Sequence, residues 1–322
     1  MELWLHTFAI PGRVVEVARQ AEAWGFDGLL VADSQSLTAD VWIELALAGA
    51  ATSRLRLGPG VTNPATRHLA VTASAAATLH EETGGRAVVG FARGDSALSQ
   101  LGLQPPSIDA FADDVRRLQG LLRGEEVRLA NGTASSLHWI AGRDMVKVPV
   151  HVAATGPRAI AATAGVADGL DLTVGGELER IRWGVDQVRA APGGERASVG
   201  AYVNVGVDED PAAARQLVRG SVTTFARFSR DNVGDARLES GYDKDRHGTS
   251  SSDYARRLDD AFVDRFAAVG PAAQVAERLA EIAAAGVERI VVVPGSIDAD
   301  RAAMARSNDA FAATVLPALR AR

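Results

Sequence analysis

Gly28-Leu-Leu-Val-Ala-Asp33, Asp40-Val-Trp-Ile-Glu-Leu-Ala-Leu-Ala-Gly-Ala-Ala-Thr52 and Leu55-Arg-Leu-Gly-Pro-Gly-Val-Thr62 follow one another with short connections. The first and third runs are short and largely apolar and end in polar or Gly-rich residues, as buried parallel strands do. The middle run is Ala-rich and of helical length. Together they read as one strand-helix-strand unit of a parallel sheet.

The same alternation extends in both directions from this unit. Strands are predicted at 2–8, 28–33, 55–62, 87–92, 148–154, 169–174, 198–207 and 289–294. Helical segments follow them at 12–24, 40–52, 68–82, 108–123, 157–166, 177–190, 210–229 and 299–320. Gly25, Gly84, Gly85 and Gly286 stand where helices stop, and Pro157 and Pro271 where they start. Eight repeats in 322 residues are the arithmetic of an α/β fold closed into a (β/α)8 TIM barrel, not of an open doubly wound sheet.

A single domain over 1–322 is therefore expected, with two insertions. Residues 125–147, after the fourth helix, hold Val127-Arg-Leu129, Asn131-Gly132 and Leu137-His-Trp-Ile140, which reads as a hairpin capping the barrel. Residues 230–253, after the seventh strand, are rich in Asp, Gly, Ser, Lys and Arg without apolar periodicity and read as a mobile loop or lid. An additional helix is predicted over 254–268, before Gly270-Pro271.

Composition removes several classes. The 34 Lys and Arg are scattered among 40 Asp and Glu, giving a formal charge of −6 with no basic block, so nucleic acid is not an expected partner. With no cysteine, disulfides, thiolate metal sites and a cysteine nucleophile are excluded. No run approaches the roughly 18 apolar residues of a membrane span. Met1-Glu-Leu-Trp-Leu-His6 enters a strand at once, and a cytoplasmic location is expected.

In such barrels the chemistry gathers at the carboxyl ends of the strands. Asp33, after four apolar residues, is either a helix cap or a group aimed at a ligand, with His6 and Thr7 leaving the first strand beside it. Gly58-Pro-Gly-Val-Thr-Asn-Pro64 implies either special backbone geometry or an ordinary turn. Arg93-Gly94-Asp95 can hold an anion and position a proton, or form an internal ion pair. Thr155-Gly156 before Pro157 offers a hydroxyl and helix-terminal amides to a phosphate, and Gly175-Gly176 either adds amides or only turns the chain. No His-x-x-His or Gly-x-Ser-x-Gly is present, so neither a metal site nor a serine hydrolase is expected.

Over nearly its full length the chain resembles the luciferase-like flavin-dependent oxidoreductases. The resemblance is most specific in Val31-Ala-Asp-Ser-Gln35, Gly58-Pro-Gly-Val-Thr-Asn-Pro64-Ala-Thr-Arg67-His68, Gly84-Gly-Arg86, Ala92-Arg-Gly-Asp95 and Val152-Ala-Ala-Thr-Gly-Pro157. The wording is nearest the branch typified by methylenetetrahydromethanopterin reductase, whose members commonly use coenzyme F420, whereas other relatives use reduced FMN and oxygen.

The resemblance implies a non-prolyl cis bond at Gly60–Val61, with Val61 backing one face of a tricyclic ring. It places Asp33 and Asn63 near that ring and Asp95 near its reactive edge. It implies a phosphate held by Thr155, Gly156, Gly175 and Gly176, and an anionic tail within reach of Arg67, Arg93 or Arg158. The family's deazaflavin-dependent alcohol and sugar-phosphate dehydrogenases carry His immediately after the aspartate of the second strand, where this chain has Ser34.

The expected reaction is therefore hydride transfer between coenzyme F420 and a small organic substrate bearing C=N, C=C or C=O. Asp95 is the first proton-handling candidate and Asp33 the second. The alternative is an FMN-dependent monooxygenase served by a separate reductase. The helices containing Trp42, Leu45, Leu47, Val71 and Leu79 carry more apolar residues than one buried face requires, so a homodimer is expected.

Overall fold

The computed structural model describes residues 1–94, 96–226, 246 and 248–322. Eleven strands occur among them: β1 (Glu2–Phe8), β2 (Gly28–Ala32), β3 (Arg56–Pro59), β4 (Val89–Phe91), β5 (Val127–Arg128), β6 (Ala134–Ser135), β7 (Val150–Ala154), β8 (Gly169–Leu172), β9 (Ser198–Val207), β10 (Ala268–Gly270) and β11 (Arg289–Val293). Nine of them form one sheet in the order β3-β2-β1-β11-β9-β8-β7-β4, with β10 paired to β9 off that path. The two ends of the path meet through parallel bridges Leu57↔Ala87 and Thr62↔Phe91. This cyclic order is that of the expected (β/α)8 barrel.

The residues pack as two compact units. One comprises Met1–Leu5, Asp171–Gln187 and Val199–Arg322, and the other His6–Leu170 and Val188–Ser198. In the second unit β2 pairs with β3 in the register Leu30↔Gly58, and β4 with β7 in the register Gly90↔His151, both parallel. Glycine is required where β3 meets β4. A Cβ at Gly58 would lie 2.1 Å from the Val88 carbonyl oxygen, and one at Gly90 would lie 2.2 Å from that of Pro59. Phe91 stacks on Phe111 at 5.5 Å between centroids, anchoring the helix Ile108–Leu122 to the sheet.

In the first unit β9 is buried from Val199 to Val207, as a parallel strand covered on both faces must be. Leu217, Val218 and Val222 pack with Leu258, Phe262 and Phe266 in one apolar cluster. Asp171 on β8 and Arg289 on β11 form a buried ion pair, 1% and 4% exposed in their side chains, with Arg289 Nη2 2.5 Å from Asp171 Oδ1. Gly200 on β9 makes room for it, because a Cβ there would stand 2.0 Å from the same oxygen.

The predicted elements differ from the observed ones in several places. The strand expected over 55–62 stops at Pro59, because the chain turns out of the ladder at Gly60. The hairpin in 125–147 is present, but its second arm is Ala134–Ser135, and the buried Leu137 and Ile140 lie in a turn after it. The helix predicted over 254–268 is two helices, Asp253–Arg256 and Asp260–Phe266, followed by β10. A short helix, Ser96–Gln100, had no counterpart among the predicted elements. Of the loop expected over 230–253, residues 230–245 and 247 lie outside the described residues. Its end is tied down where Asp298 accepts from the Ser250 and Ser251 amides at 2.7 and 3.1 Å.

Candidate functional site

At the carboxyl end of β2, Asp33 is 3% exposed and caps no helix. Asp40 is the N-cap of Val41–Ala50, accepting from the Trp42 and Ile43 amides. The ambiguity left at Asp33 is thus resolved toward a group held at the strand ends. Its Oδ2 accepts from the Thr62 hydroxyl at 2.7 Å and its Oδ1 from Gln35 Nε2 at 2.6 Å. Arg67 Nη2 binds Asp40 at 2.6 Å, and Arg67 Nε stands 3.9 Å from Asp33. Burial pushes the Asp33 carboxyl above its ordinary value, against the opposing pull of Thr62, Arg67 and Gln35. Asp40 moves the other way: burial pulls it up, but Arg67 and the capped amides outweigh that and hold it low.

Beyond β3 the Gly60–Val61 peptide is cis, as the resemblance implied. The bulge is stitched in place by backbone bonds, Gly60 N–H to Val31 O at 2.7 Å, Thr62 N–H to Gly90 O at 2.9 Å and Ala92 N–H to Thr62 O at 2.9 Å. His6, at the end of β1, donates from Nε2 to the Gly60 carbonyl at 2.9 Å. Burial pushes this imidazole below its ordinary value, and the Gly60 carbonyl pulls partly the other way. Val61 therefore occupies a backbone position fixed from three sides.

Asn63 is buried, and its Oδ1 accepts from the Ala65 and Thr66 amides, both at 3.0 Å. Its carbonyl end thus shapes the turn. Gly94 has φ +89° and lies against Asn63 and Leu98. Arg93 donates from Nε and Nη2 to the Pro106 carbonyl at 2.9 and 2.6 Å, a strap between two loops. Asp95 lies outside the described residues. The neighbouring Ser96 hydroxyl is 3.3 Å from that of Ser34.

Gly156 is the N-cap of Pro157–Thr163, with no side-chain cap and open space where a Cβ would be. Arg158, second in that helix, is exposed. Gly175 and Gly176 are placed less favourably for a phosphate than expected. Both are buried, Gly175 presses on the Phe266 ring, and the Gly176 N–H already donates to the Phe266 carbonyl at 2.7 Å. The Gly176 amide holds the loop and is not available to a ligand.

Asp33, Thr62, Gly60, Val61, Asn63 and Gly94 are thus drawn together from the ends of β2, β3 and β4. Among the described residues, Gln35 Oε1 and Arg67 Nε beside Asp33, and Thr66 Oγ1 in the turn that Asn63 shapes, are buried without hydrogen-bond partners. Buried polar atoms are ordinarily paired, so this cluster is chemically suited to a polar ligand. Thr62 and Gln35 were not singled out from the sequence, although both sit inside the quoted motifs. Among the described residues no three His, Asp or Glu side chains form a metal-binding group.

A model of the luciferase-like monooxygenase family matches residues 4–289. The chain belongs to that family. Within the luciferase-like proteins it is 28% identical over 237 residues to a 5,10-methylenetetrahydromethanopterin reductase of Methanolobus tindarius, covering 69% of each chain. It is also 28% identical over 290 residues to the protein of that name from Archaeoglobus fulgidus, covering 84% of this chain and 86% of the relative. A coenzyme F420-dependent tetrahydromethanopterin reductase from Methanopyrus kandleri superposes with a TM-score of 0.76 at 21% identity, covering 98% of both chains. That likeness establishes the (β/α)8 TIM-barrel fold.

Proposed function

We propose that this luciferase-like protein is an oxidoreductase that transfers hydride between coenzyme F420 and an organic substrate with an electron-poor C=N, C=C or C=O bond. The observation that carries the reading is the Gly60–Val61 bulge set beside buried Asp33 and its unpaired polar neighbours. The names of the reductase relatives support the deazaflavin.

In this reading Gly60 and Val61 back the ring, while Asp33 and the amide of Asn63 approach its polar edge. Thr155 and Gly156 receive the phosphate at the N-terminus of Pro157–Thr163. When bound, a reduced deazaflavin supplies a hydride and reacts poorly with oxygen. The protein's own task is orientation and control of one proton. Asp33, pushed up by burial, holds a proton more readily than an exposed carboxylate does. Asp95 is the companion candidate. Ser34, its hydroxyl 3.3 Å from that of Ser96, supplies no imidazole base, which argues against alcohol oxidation.

The second reading, an FMN-dependent monooxygenase, is favoured by the description of the matching family. Titration of the purified protein with oxidised deazaflavin and with FMN separates the two. Deazaflavin binding and turnover under anaerobic conditions are expected. Micromolar binding of FMN alone, with turnover only in oxygen, would overturn the proposal.

A further inference from the structure

Gln35 follows Asp33 by two residues, and its Nε2 donates to Asp33 Oδ1 at 2.6 Å. The turn that carries it is tight. Ser34 O accepts from the Leu37 and Thr38 amides at 3.0 and 2.9 Å, and Ser36 takes φ +68°, a left-handed conformation that is costly for any residue with a side chain. The backbone thus holds the Gln35 amide against the Asp33 carboxyl. The other end of that amide, Oε1, is buried and meets no donor among the described residues.

A primary amide has opposite polarity at its two ends, whereas an ionised carboxylate only accepts. Ionised Asp33 therefore turns Nε2 inward and Oε1 outward. A proton on Asp33 changes the demand. Placed on Oδ2, it makes Thr62 accept, and the Thr62 hydrogen is left in a fully buried residue with no other side-chain partner among the described residues. Placed on Oδ1, it meets Nε2, donor against donor. A half-turn of the amide removes both conflicts, since Oε1 then accepts from Oδ1, Thr62 keeps its bond to Oδ2, and Nε2 faces outward. Leaving a buried polar group unmet is the costlier course. The neighbouring charges among the described residues stay as they are: Arg67, with Nε 3.9 Å from Oδ2, remains cationic, Asp40 is held low in its grip, and His6 is turned to the Gly60 carbonyl.

We propose that Gln35 relays the proton state of Asp33 to the bound ligand, offering it an acceptor beside the carboxylate and a donor beside the acid. The ligand group that fits the acceptor state is an N–H or O–H, and for a deazaflavin it is the imide N–H of the ring's polar edge. That last assignment rests on the reading under Proposed function; the coupling of amide to carboxyl does not. Linkage makes the effect reciprocal, so a ligand N–H on Oε1 also favours the ionised form of Asp33.

The first measurement needs no variant and no ligand. In wild type, Asp33 is titrated by carbon NMR of its carboxyl while nuclear Overhauser contacts are followed between the Gln35 side-chain amide hydrogens and the Asp33 β-hydrogens. The contacts are expected above the Asp33 midpoint and lost below it. Contacts that persist on both sides overturn the relay. Wild type and Gln35→Met, which keeps the bulk without either polar end, are then titrated across the same pH range with oxidised deazaflavin and with its imide N-methyl derivative. Wild type should prefer the unmethylated ring by about tenfold more above the Asp33 midpoint than below it. Gln35→Met should show one preference on both sides. A preference that changes with pH as much in Gln35→Met as in wild type, or one that does not change in wild type, overturns the relay. If neither deazaflavin nor FMN binds but the amide contacts follow Asp33, the coupling stands and the cofactor reading falls.

Discussion

The Thr62 hydroxyl donates to Asp33 Oδ2 at 2.7 Å, joining the end of β2 to the segment just past the Gly60–Val61 bulge. Burial nevertheless raises Asp33 above its ordinary value, so the folded protein holds that proton more tightly than the unfolded chain does. Folding then binds more protons than the unfolded chain between the ordinary value and the raised one. Stability should fall as pH rises through that window and level off above it. Asp33→Asn should lack this decline. Thermal unfolding of both proteins from pH 3 to 8 checks it, and parallel curves would remove the coupling.

Close approach of β3 and β4 makes a second prediction. Gly90→Ala would drive its methyl into the Pro59 carbonyl and should cost about 1–3 kcal/mol or more in urea unfolding. Gly156→Ala, where a Cβ meets open space and φ is −100°, should change stability by no more than about 0.5 kcal/mol. The contrast separates a packing requirement from a site requirement.

Asp171→Asn would leave Arg289 buried opposite a neutral group. Breaking such a pair from one side typically costs about 3–5 kcal/mol, whereas replacing both members by apolar residues is often neutral. Asp171→Leu with Arg289→Met should therefore recover most of the stability lost in Asp171→Asn. Denaturant midpoints of the single and double variants give the answer directly.

Ile43, Leu47 and Val71 are 63%, 52% and 55% exposed, while Leu45 and Leu79 are buried in the core. The apolar surplus expected from the sequence is thus real only for part of the residues first named. Leu47→Glu should convert a dimer to monomers in light scattering and leave the unfolding midpoint of the monomer nearly unchanged. A wild-type protein that is monomeric at tens of micromolar would rule this interface out.

The βα order was legible because runs such as Gly28–Ala32 and Ser198–Val207 are apolar on both faces and are punctuated by Gly, Pro and Asp. Asp33, Gly60, Val61 and Asn63 were legible because they fall where such runs end. Other features depend on what lies across space. Leu137 and Ile140 look like a strand because they are apolar, yet their burial comes from packing in a turn. The short β10 owes its existence to β9 beside it, which no local pattern records. Gly175-Gly176 read either as amides for a phosphate or as a mere turn, and the Phe266 ring that lies on them leaves no local mark, any more than the burial of Arg180 does.

His6 meets the Gly60 carbonyl through Nε2. A carbonyl has no hydrogen to give, so Nε2 must carry one, and a ring kept neutral by burial then bears a lone pair on Nδ1. The backbone bulge thereby selects a single tautomer of the imidazole and gives the ring a fixed polarity, donor at one corner and acceptor at the other.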